Sequence, residues 1–329
     1  MRRKRVRRRP RGRVLNRHLR AEPNRRTSLA RPARIALLAA LPWAWFPLRD
    51  LLGVVGDPIA ILLPVLVVVT VVAALAIGRR RAVPFAASVL LAGTVAIVTP
   101  WTPADAGTVS AGSGVTLASA NVTGKAATLP ALRAVGADVL VVAENSKAVD
   151  KGLAAAYPYH VSRVGPSPSV GVYSRFPLRL LQPPGPDLPG MRVAVDAPSP
   201  FVLYALHVPR PWWGGVPGYQ VSSEEHHRIV TAVAAQAARE PGAVVLAGDF
   251  NSTDRGRDYR LLTDATGLTD AMRDGWVGPT SVTTWRLFLL RIDHILVTRG
   301  WCGDATGRFV LPQSDHDGIT ATIGPCASG

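Results

Sequence analysis

The stretch Ile59–Ile77, IAILLPVLVVVTVVAALAI, runs for 19 residues without a charge, and nothing else constrains this chain as strongly. About 20 apolar residues reach across the hydrocarbon of a bilayer, so the run reads as a membrane span. Val83–Trp101 is a second run of 19 and closes on a tryptophan, a residue suited to the membrane interface. A third, Ile35–Leu52, is marginal: Pro42 and Pro47 interrupt it, and Arg49 and Asp50 lie near its far end. Transmembrane helices are thus expected at about 35–52, 59–77 and 83–101.

Charge orients these segments. The 329-residue chain carries a net charge of +16, and residues 1–104 hold all of it, with 19 Lys and Arg against Glu22, Asp50 and Asp57. Residues 105–329 balance 19 basic against 19 acidic side chains. The Arg-rich stretch 1–34 is too charged to pack and reads as a disordered cytoplasmic arm. The positive-inside rule keeps both the arm and Arg79–Arg81 in the cytoplasm. Two clusters on one side require an even number of crossings between them, so the first segment should span and the third should carry the remainder outside. A cleaved signal peptide is the alternative for the first segment, but two further spans follow it and no clear small-residue cleavage site appears. The expectation is a multi-pass protein of the cell membrane, with the bilayer as one partner, no protein partner, a cytoplasmic N-terminus and an extracytoplasmic domain. The only cysteines, Cys302 and Cys326, both fall in that domain, where an oxidising compartment can pair them.

Residues 102–114 are rich in Gly, Pro, Ser and Ala and read as a linker, leaving 115–329 as the domain. Within it, strand-like apolar runs alternate with helical stretches, one of them opened by a capping box at Ser222 and Glu225. That mixture implies a layered α/β domain. The run VVLAGDFNST puts Asp249 and Asn251 two residues apart, hence on the same side of an extended strand. Such a pair could hold a metal, a water or a phosphate oxygen, or could cap a turn. Its company decides the matter. Asn121 lies near the end of the first strand, Glu144 closes DVLVVAE, His207 ends YALH, Asp293 sits in RIDHI, and Asp315 and His316 open the last strand. Six apolar runs that each deliver Asn, Asp, Glu or His imply a cleft lined with hard oxygen ligands and imidazoles, the composition of a divalent-metal phosphate site.

In order along the chain, SANV, VVAEN, YSRFPL, YALHVP, GDFNS, RIDHILV and SDHDGI resemble the endonuclease/exonuclease/phosphatase superfamily, deoxyribonuclease I-like, and most of all its bacterial membrane-anchored members. The likeness covers about Val115 to Gly324; Ala143 departs from it, standing where an aromatic or Gln often precedes the Glu. It implies a four-layer α/β/β/α sandwich. It implies Glu144 as the principal ligand of Mg²⁺ (or Mn²⁺), with Asn121 and Asp315 near the same ion. His316 would be general base or phosphate stabiliser, oriented by Asp293. Asp249 would position or deprotonate the attacking water, Asn251 would donate to a non-bridging oxygen, and His207 would contact the phosphate or protonate the leaving group. A Cys302–Cys326 bridge is expected to brace the last motif by limiting how far His316 strays from Asp293.

The implied activity is that of a membrane-anchored, metal-dependent phosphoesterase acting on nucleic acid, a phospholipid or sphingolipid head group, or a small phosphate ester. A catalytically inactive copy of the fold, used as a membrane-tethered binding module, is the alternative; intact Glu144, Asp249, Asn251, Asp293 and His316 stand against it. The neutral domain lacks the Lys/Arg surplus of a tight non-specific DNA binder. Other polar residues read more plainly. His294 should face away from the cleft and pack. His226 and His227, adjacent on a helix, should not share a face, and Glu224 with Arg228 forms an i,i+4 pair. Arg175 and Arg291 are open between substrate contact and structural ion pairs, and Trp212–Trp213 between stacking on a base, dipping into lipid and packing.

Overall fold

The structure, a computed structural model, describes residues 25–77, 82–104, 107–211, 218–275, 278–281 and 289–327. Residues 1–24 of the arm, Arg79–Arg81 and Trp212–Trp213 lie outside these. In the apolar front, side chains offer the backbone almost no hydrogen-bonding alternative, so each run satisfies its amides within itself as helix. The helices are α1 (Arg25–Ala40), α2 (Trp45–Leu48), α3 (Gly53–Ala76) and α4 (Ala82–Val98), which runs on through a 3₁₀ turn to Trp101. Two of the three expected spans, Gly53–Ala76 and Ala82–Trp101, are long and apolar enough to cross a bilayer. The first segment is different: a 3₁₀ turn at Leu41–Ala44, with a proline in its first turn, separates α1 from α2. Its apolar stretch, Ala33–Leu48, falls short of the ~20 residues a crossing needs. The expectation of disorder up to residue 34 also fails in part, since α1 already begins at Arg25.

The domain contributes short helices α5 (Leu129–Ala134) and α6 (Lys147–Ala154), the longer α7 (Ser223–Ala237) and one turn, α8 (Arg257–Arg260). Its strands, in chain order, are β1 (Val115–Asn121), β2 (Val139–Ala143), β3 (Tyr159–Arg163), β4 (Val170–Ser174), β5 (Leu178–Gln182) and β6 (Gly190–Val195). They continue as β7 (Phe201–His207), β8 (Val244–Asp249), β9 (Thr269–Asp270), β10 (Asp293–Val297), β11 (Trp301–Val310) and β12 (Asp317–Pro325). Among the described residues two six-stranded sheets result, ordered β11-β12-β1-β2-β4-β3 and β5-β6-β7-β8-β10-β9.

Alternation along the strands sends one face of each sheet inward, and these faces meet through Leu117, Val141, Val193, Leu203, Val245 and Ile295. The outer face of the first sheet packs on α5 and α6 through Leu132, Val149 and Leu153, and that of the second on α7 through Ile229, Val230 and Val233. The layers therefore run helix, sheet, sheet, helix.

Strand direction, more than layering, brings the polar residues together. β1 and β2 are parallel, as are β7 and β8, whereas β12 and β10 run antiparallel to β1 and β8. The carboxyl ends of four strands and the amino ends of two more thus share one rim. The Gly- and Ser-rich stretch before β1 is bound to the domain's other end, with Val109 bridged to Cys326 and the Ser110 amide donating to the Pro325 carbonyl.

Cys302 and Cys326 form the expected disulfide, with Cα atoms 5.0 Å apart. Its place corrects the expected role. Cys302 lies opposite Gly324, while Val310 lies opposite Asp317 at the end of the hairpin that carries His316. Eight residues of strand, about 25 Å, separate bridge from motif. It closes the open end of the hairpin and does not restrain His316.

Candidate active site

Strand register assembles the site. His207 of β7 is paired with Asp249 of β8, which is paired in turn with Asp293 of β10, so three polar residues form one row across adjacent strands. Gly248 makes this row possible: it has φ 144°, and a Cβ there would come within 1.9 Å of the Leu206 carbonyl oxygen. Only glycine lets β8 approach β7 this closely. In the facing sheet Asn121 ends β1 opposite Ala143, and Glu144 follows immediately.

Asn121 joins the two sheets. Its Nδ2 donates to Asp249 Oδ2 at 2.9 Å and to Glu144 Oε1 at 3.1 Å, while its Oδ1 accepts from the Thr123 amide. In this arrangement the nitrogen, and not the oxygen, faces the carboxylates. Glu144 leans into the cleft with a side chain 39% exposed, its Oε1 3.7 Å from His207 Nε2.

Opposite it, His316 Nδ1 donates to Asp293 Oδ2 at 2.8 Å, which leaves Nε2 pointing to Asp249 Oδ2, 3.7 Å away. Burial alone would lower the pKa of His316, but the Asp293 and Asp249 carboxylates outweigh it and the pKa rises. Asp249 moves upward as well, because burial disfavours its charge more strongly than His316 and two hydrogen bonds favour it. Burial, reinforced by His316, lowers His207 to about 4, so that imidazole is neutral near pH 7.

Asp249, Asp293 and His316 are buried and present ligand atoms within 4.8 Å of one another, a spacing that could hold a metal ion. Asp293 Oδ1 is also buried with no hydrogen-bond partner among the described residues, so the cleft retains an unused acceptor.

Asp315 sits apart, exposed at the lip, where it accepts from Thr123 Oγ1 at 2.6 Å. Asn251 is buried; its Nδ2 donates to the Val208 carbonyl and its amide to Asp249 Oδ1. Three residues at this rim hold left-handed backbone without being glycine: Thr123 (φ 47°), Glu144 (φ 50°) and Asn251 (φ 48°). Each costs of order 1 kcal/mol, and such strain collects where side chains must be aimed off the end of a strand.

Several roles left open are decided by contacts. His294 is fully buried between Phe250 and Tyr259 and donates to the Ser252 carbonyl; it packs, as expected. Arg291 is buried in an ion pair with Asp270 at 2.6 Å, and Arg175 pairs with Asp138 at 3.7 Å on the surface. Ser222 caps α7 by accepting from the Glu225 amide, but Arg228 pairs with Glu225 and Asp187 instead of Glu224. His226 and His227, adjacent on α7, both reach one carboxylate, Asp258, which α8 inserts between them.

The structure adds residues that sequence reasoning passed over. Tyr219 lays its ring 5.1 Å from that of His207, Ser314 donates to the Asn121 carbonyl, and Thr280 Oγ1 accepts from the Asp293 amide. Of these only Ser314 had a local signal, its place beside Asp315 in SDHD.

An endonuclease/exonuclease/phosphatase from Beutenbergia cavernae has a similar fold in its crystal structure, at TM-score 0.50 and 19% identity, over 65% of this chain and 72% of that one. The human Nocturnin catalytic domain, solved with a bound sulfate anion, superposes at TM-score 0.50 and 12% identity, over 64% of this chain and 94% of that one. Comparison with curated protein sequences finds no match. The profile of the Endonuclease/Exonuclease/phosphatase family matches residues 115–316, from the first strand of the domain to His316. With its ordered motifs gathered at one rim of two facing sheets, the chain belongs to the endonuclease/exonuclease/phosphatase family.

Proposed function

We propose that this protein is a membrane-anchored hydrolase of phosphodiesters or phosphomonoesters that depends on Mg²⁺ or Mn²⁺, with its catalytic domain outside the cytoplasm. Members of its family hydrolyse phosphoester bonds. The observation that carries the reading is the buried contact of His316 with Asp293 and Asp249, facing Glu144 across Asn121. Glu144, which leans into the cleft, would hold the cation; Asn121 would join it only by turning its amide oxygen where its nitrogen now points, and Asp315 only by leaving Thr123 at the lip. Hard oxygen donors suit Mg²⁺ or Mn²⁺. A bound divalent cation polarises a phosphoryl oxygen and offsets its charge. His316, hydrogen-bonded to Asp293 and facing Asp249, would serve the substrate's side of the cleft.

The protonation states divide the remaining work. His316, its pKa raised by Asp293 and Asp249, stays an imidazolium near neutral pH and donates to a phosphate oxygen as charge builds there. Asp249, with a pKa raised by burial, is the proton acceptor for an attacking water. Neutral His207 serves as a hydrogen-bonding group for the phosphate, and Asn251 contributes its amide. Two long apolar helices and the charge asymmetry support the anchored topology. With the domain uncharged overall, small phosphate esters and lipid head groups stand beside nucleic acid as substrates.

The test is a panel of plasmid DNA, RNA, sphingomyelin, phosphatidylinositol phosphates and p-nitrophenyl esters offered to the full-length protein with Mg²⁺. Turnover of at least one should vanish in EDTA and return with the metal. Glu144→Gln and His316→Ala should each lower kcat by at least about 10²-fold. Full activity in EDTA, or wild-type rates in both variants, would remove the mechanism.

A further inference from the structure

The apolar front does not merely precede the domain; it grips the segment just after the catalytic strand β8. Asp57, in the second turn of α3, accepts from Arg257 Nε at 3.0 Å and Nη2 at 2.8 Å, and Ser223 Oγ donates to the same carboxylate. Arg255, 1% exposed, donates through Nε to the Ala60 carbonyl at 3.2 Å and through Nη2 to the Leu289 carbonyl at 2.9 Å. Arg260 pairs with Asp50, and Trp101, at the end of the α4 extension, donates to Asp254 Oδ2 at 2.9 Å. Four points of the domain, at 254, 255, 257 and 260, are therefore held by three separate parts of the front.

This segment begins three residues after Asn251. Ser252, Thr253, Asp254 and Arg255 are all buried, and Asn251 lines one narrow crevice with Asp57, Ala60 and Ile61. An acid within an otherwise apolar helix is costly unless it is partnered, and the Asp57–Arg257 pair is largely shielded, with side chains 11% and 15% exposed. Arg255 likewise depends on a helix carbonyl for its cover. Asn251 holds a left-handed conformation that persists only where its surroundings over-determine it, and part of those surroundings is the helix.

We propose that the apolar helices are a structural half of the active site: Asp57 and Arg257 are positioning residues that order residues 251–260 and so hold Asn251 and Asp249 in their working geometry. The docking stands on contacts alone; its effect on turnover rests on the phosphoesterase reading above.

The experiment uses the full chain in lipid nanodiscs and reads hydrogen–deuterium exchange of peptides covering 250–262, together with kcat and KM on whichever ester of the panel is cleaved. Asp57→Asn should speed exchange there at least tenfold and lower kcat about tenfold with KM within twofold. The charge-exchanged double variant, Asp57→Arg with Arg257→Asp, should recover most of both. Glu225→Gln, which removes an exposed pair on α7, should change neither. If Asp57→Asn does not accumulate, Arg257→Lys, which keeps the charge but loses the two-pronged contact, should move both readouts in the same direction by a few-fold. Unchanged exchange and kcat in a folded Asp57→Asn protein, or a double variant no better than the single ones, overturns the proposal. Should the wild type cleave nothing, the phosphoesterase reading fails, while the exchange data still decide whether the helices order the loop.

Discussion

Gly248 shows how much one missing side chain can decide. Its φ and the Leu206 carbonyl beneath it leave no room for a Cβ, and the His207–Asp249–Asp293 row depends on that close approach. Gly248→Ala should destabilise the domain by about 2–3 kcal/mol, through strain and displaced strands. A urea midpoint within error of wild type would show that β8 tolerates the methyl group. The buried ion pair of Arg291 with Asp270 makes a second prediction at this scale. Burial pushes the Asp270 pKa up, but the Arg291 guanidinium, His294 and hydrogen bonds from Tyr259 and the Met272 amide together outweigh it and the net shift is downward. The group therefore lends stability in full above the unfolded carboxylate value, about 3.9, and loses it as pH falls through the lower folded value. Urea midpoints measured against pH should carry a loss below about pH 4 from this pair; a flat profile down to pH 2 would contradict the assignment.

Among elements, the hairpin of β11 and β12 is where the sequence reading and the structure part most instructively. The cysteines pair as expected, yet they close the end remote from His316. Cys302→Ser should then lower stability by up to about 3 kcal/mol and leave kcat near wild type, since strain at one end dissipates before the other. A large loss of kcat in a variant that still melts cooperatively would restore the bracing role. Strand legibility follows the same logic of position. β1, β2, β4, β6, β7, β8, β10 and β12 are all legible as apolar runs, and they are the interior strands of the two sheets. The four that the pattern hides, β3, β5, β9 and β11, are the four edges. An edge strand has a neighbour on one side only and faces solvent along much of its length, so selection for a continuous apolar run is relaxed there. β5, half exposed as LRLLQ, and β11, with Asp304 and two glycines, show the result.

On the scale of the whole molecule, charge and hydropathy divide the chain into an apolar, basic front and a neutral domain, and the contacts then join them. Asp50 and Asp57 meet the domain before and near the start of α3, and Trp101 meets it at the end of the α4 extension. The proposed topology puts Arg79–Arg81 on the cytoplasmic side and the domain across the membrane. A C-terminal alkaline phosphatase fusion should be active, and a green fluorescent protein fusion exported by the same route should be dark. The opposite pattern would overturn the topology. The broken first segment is the weak member of the set, because the 3₁₀ turn at Leu41–Ala44, with Pro42 in its first turn, stops one helix from continuing through it.

By itself the sequence determined the family, the interior strands, the two long helices, the cysteine pair and the acidic, amide and imidazole residues gathered at the rim, though not Tyr219, Thr280 or Ser314. Those properties are local: an apolar run, a spacing of two residues or a count of cysteines survives without knowing what lies opposite. Only the tertiary structure decided how the rim residues meet. Asn121 turns its nitrogen to two carboxylates, Asp315 stays at the lip on Thr123, and Tyr219 folds back on His207 from the connection that follows β7. It also decided that Arg291 serves the core and that Asp57 reaches across 200 residues to Arg257. Such pairings depend on register, sheet packing and burial, which arise between segments far apart in the chain and leave no periodic trace in either one.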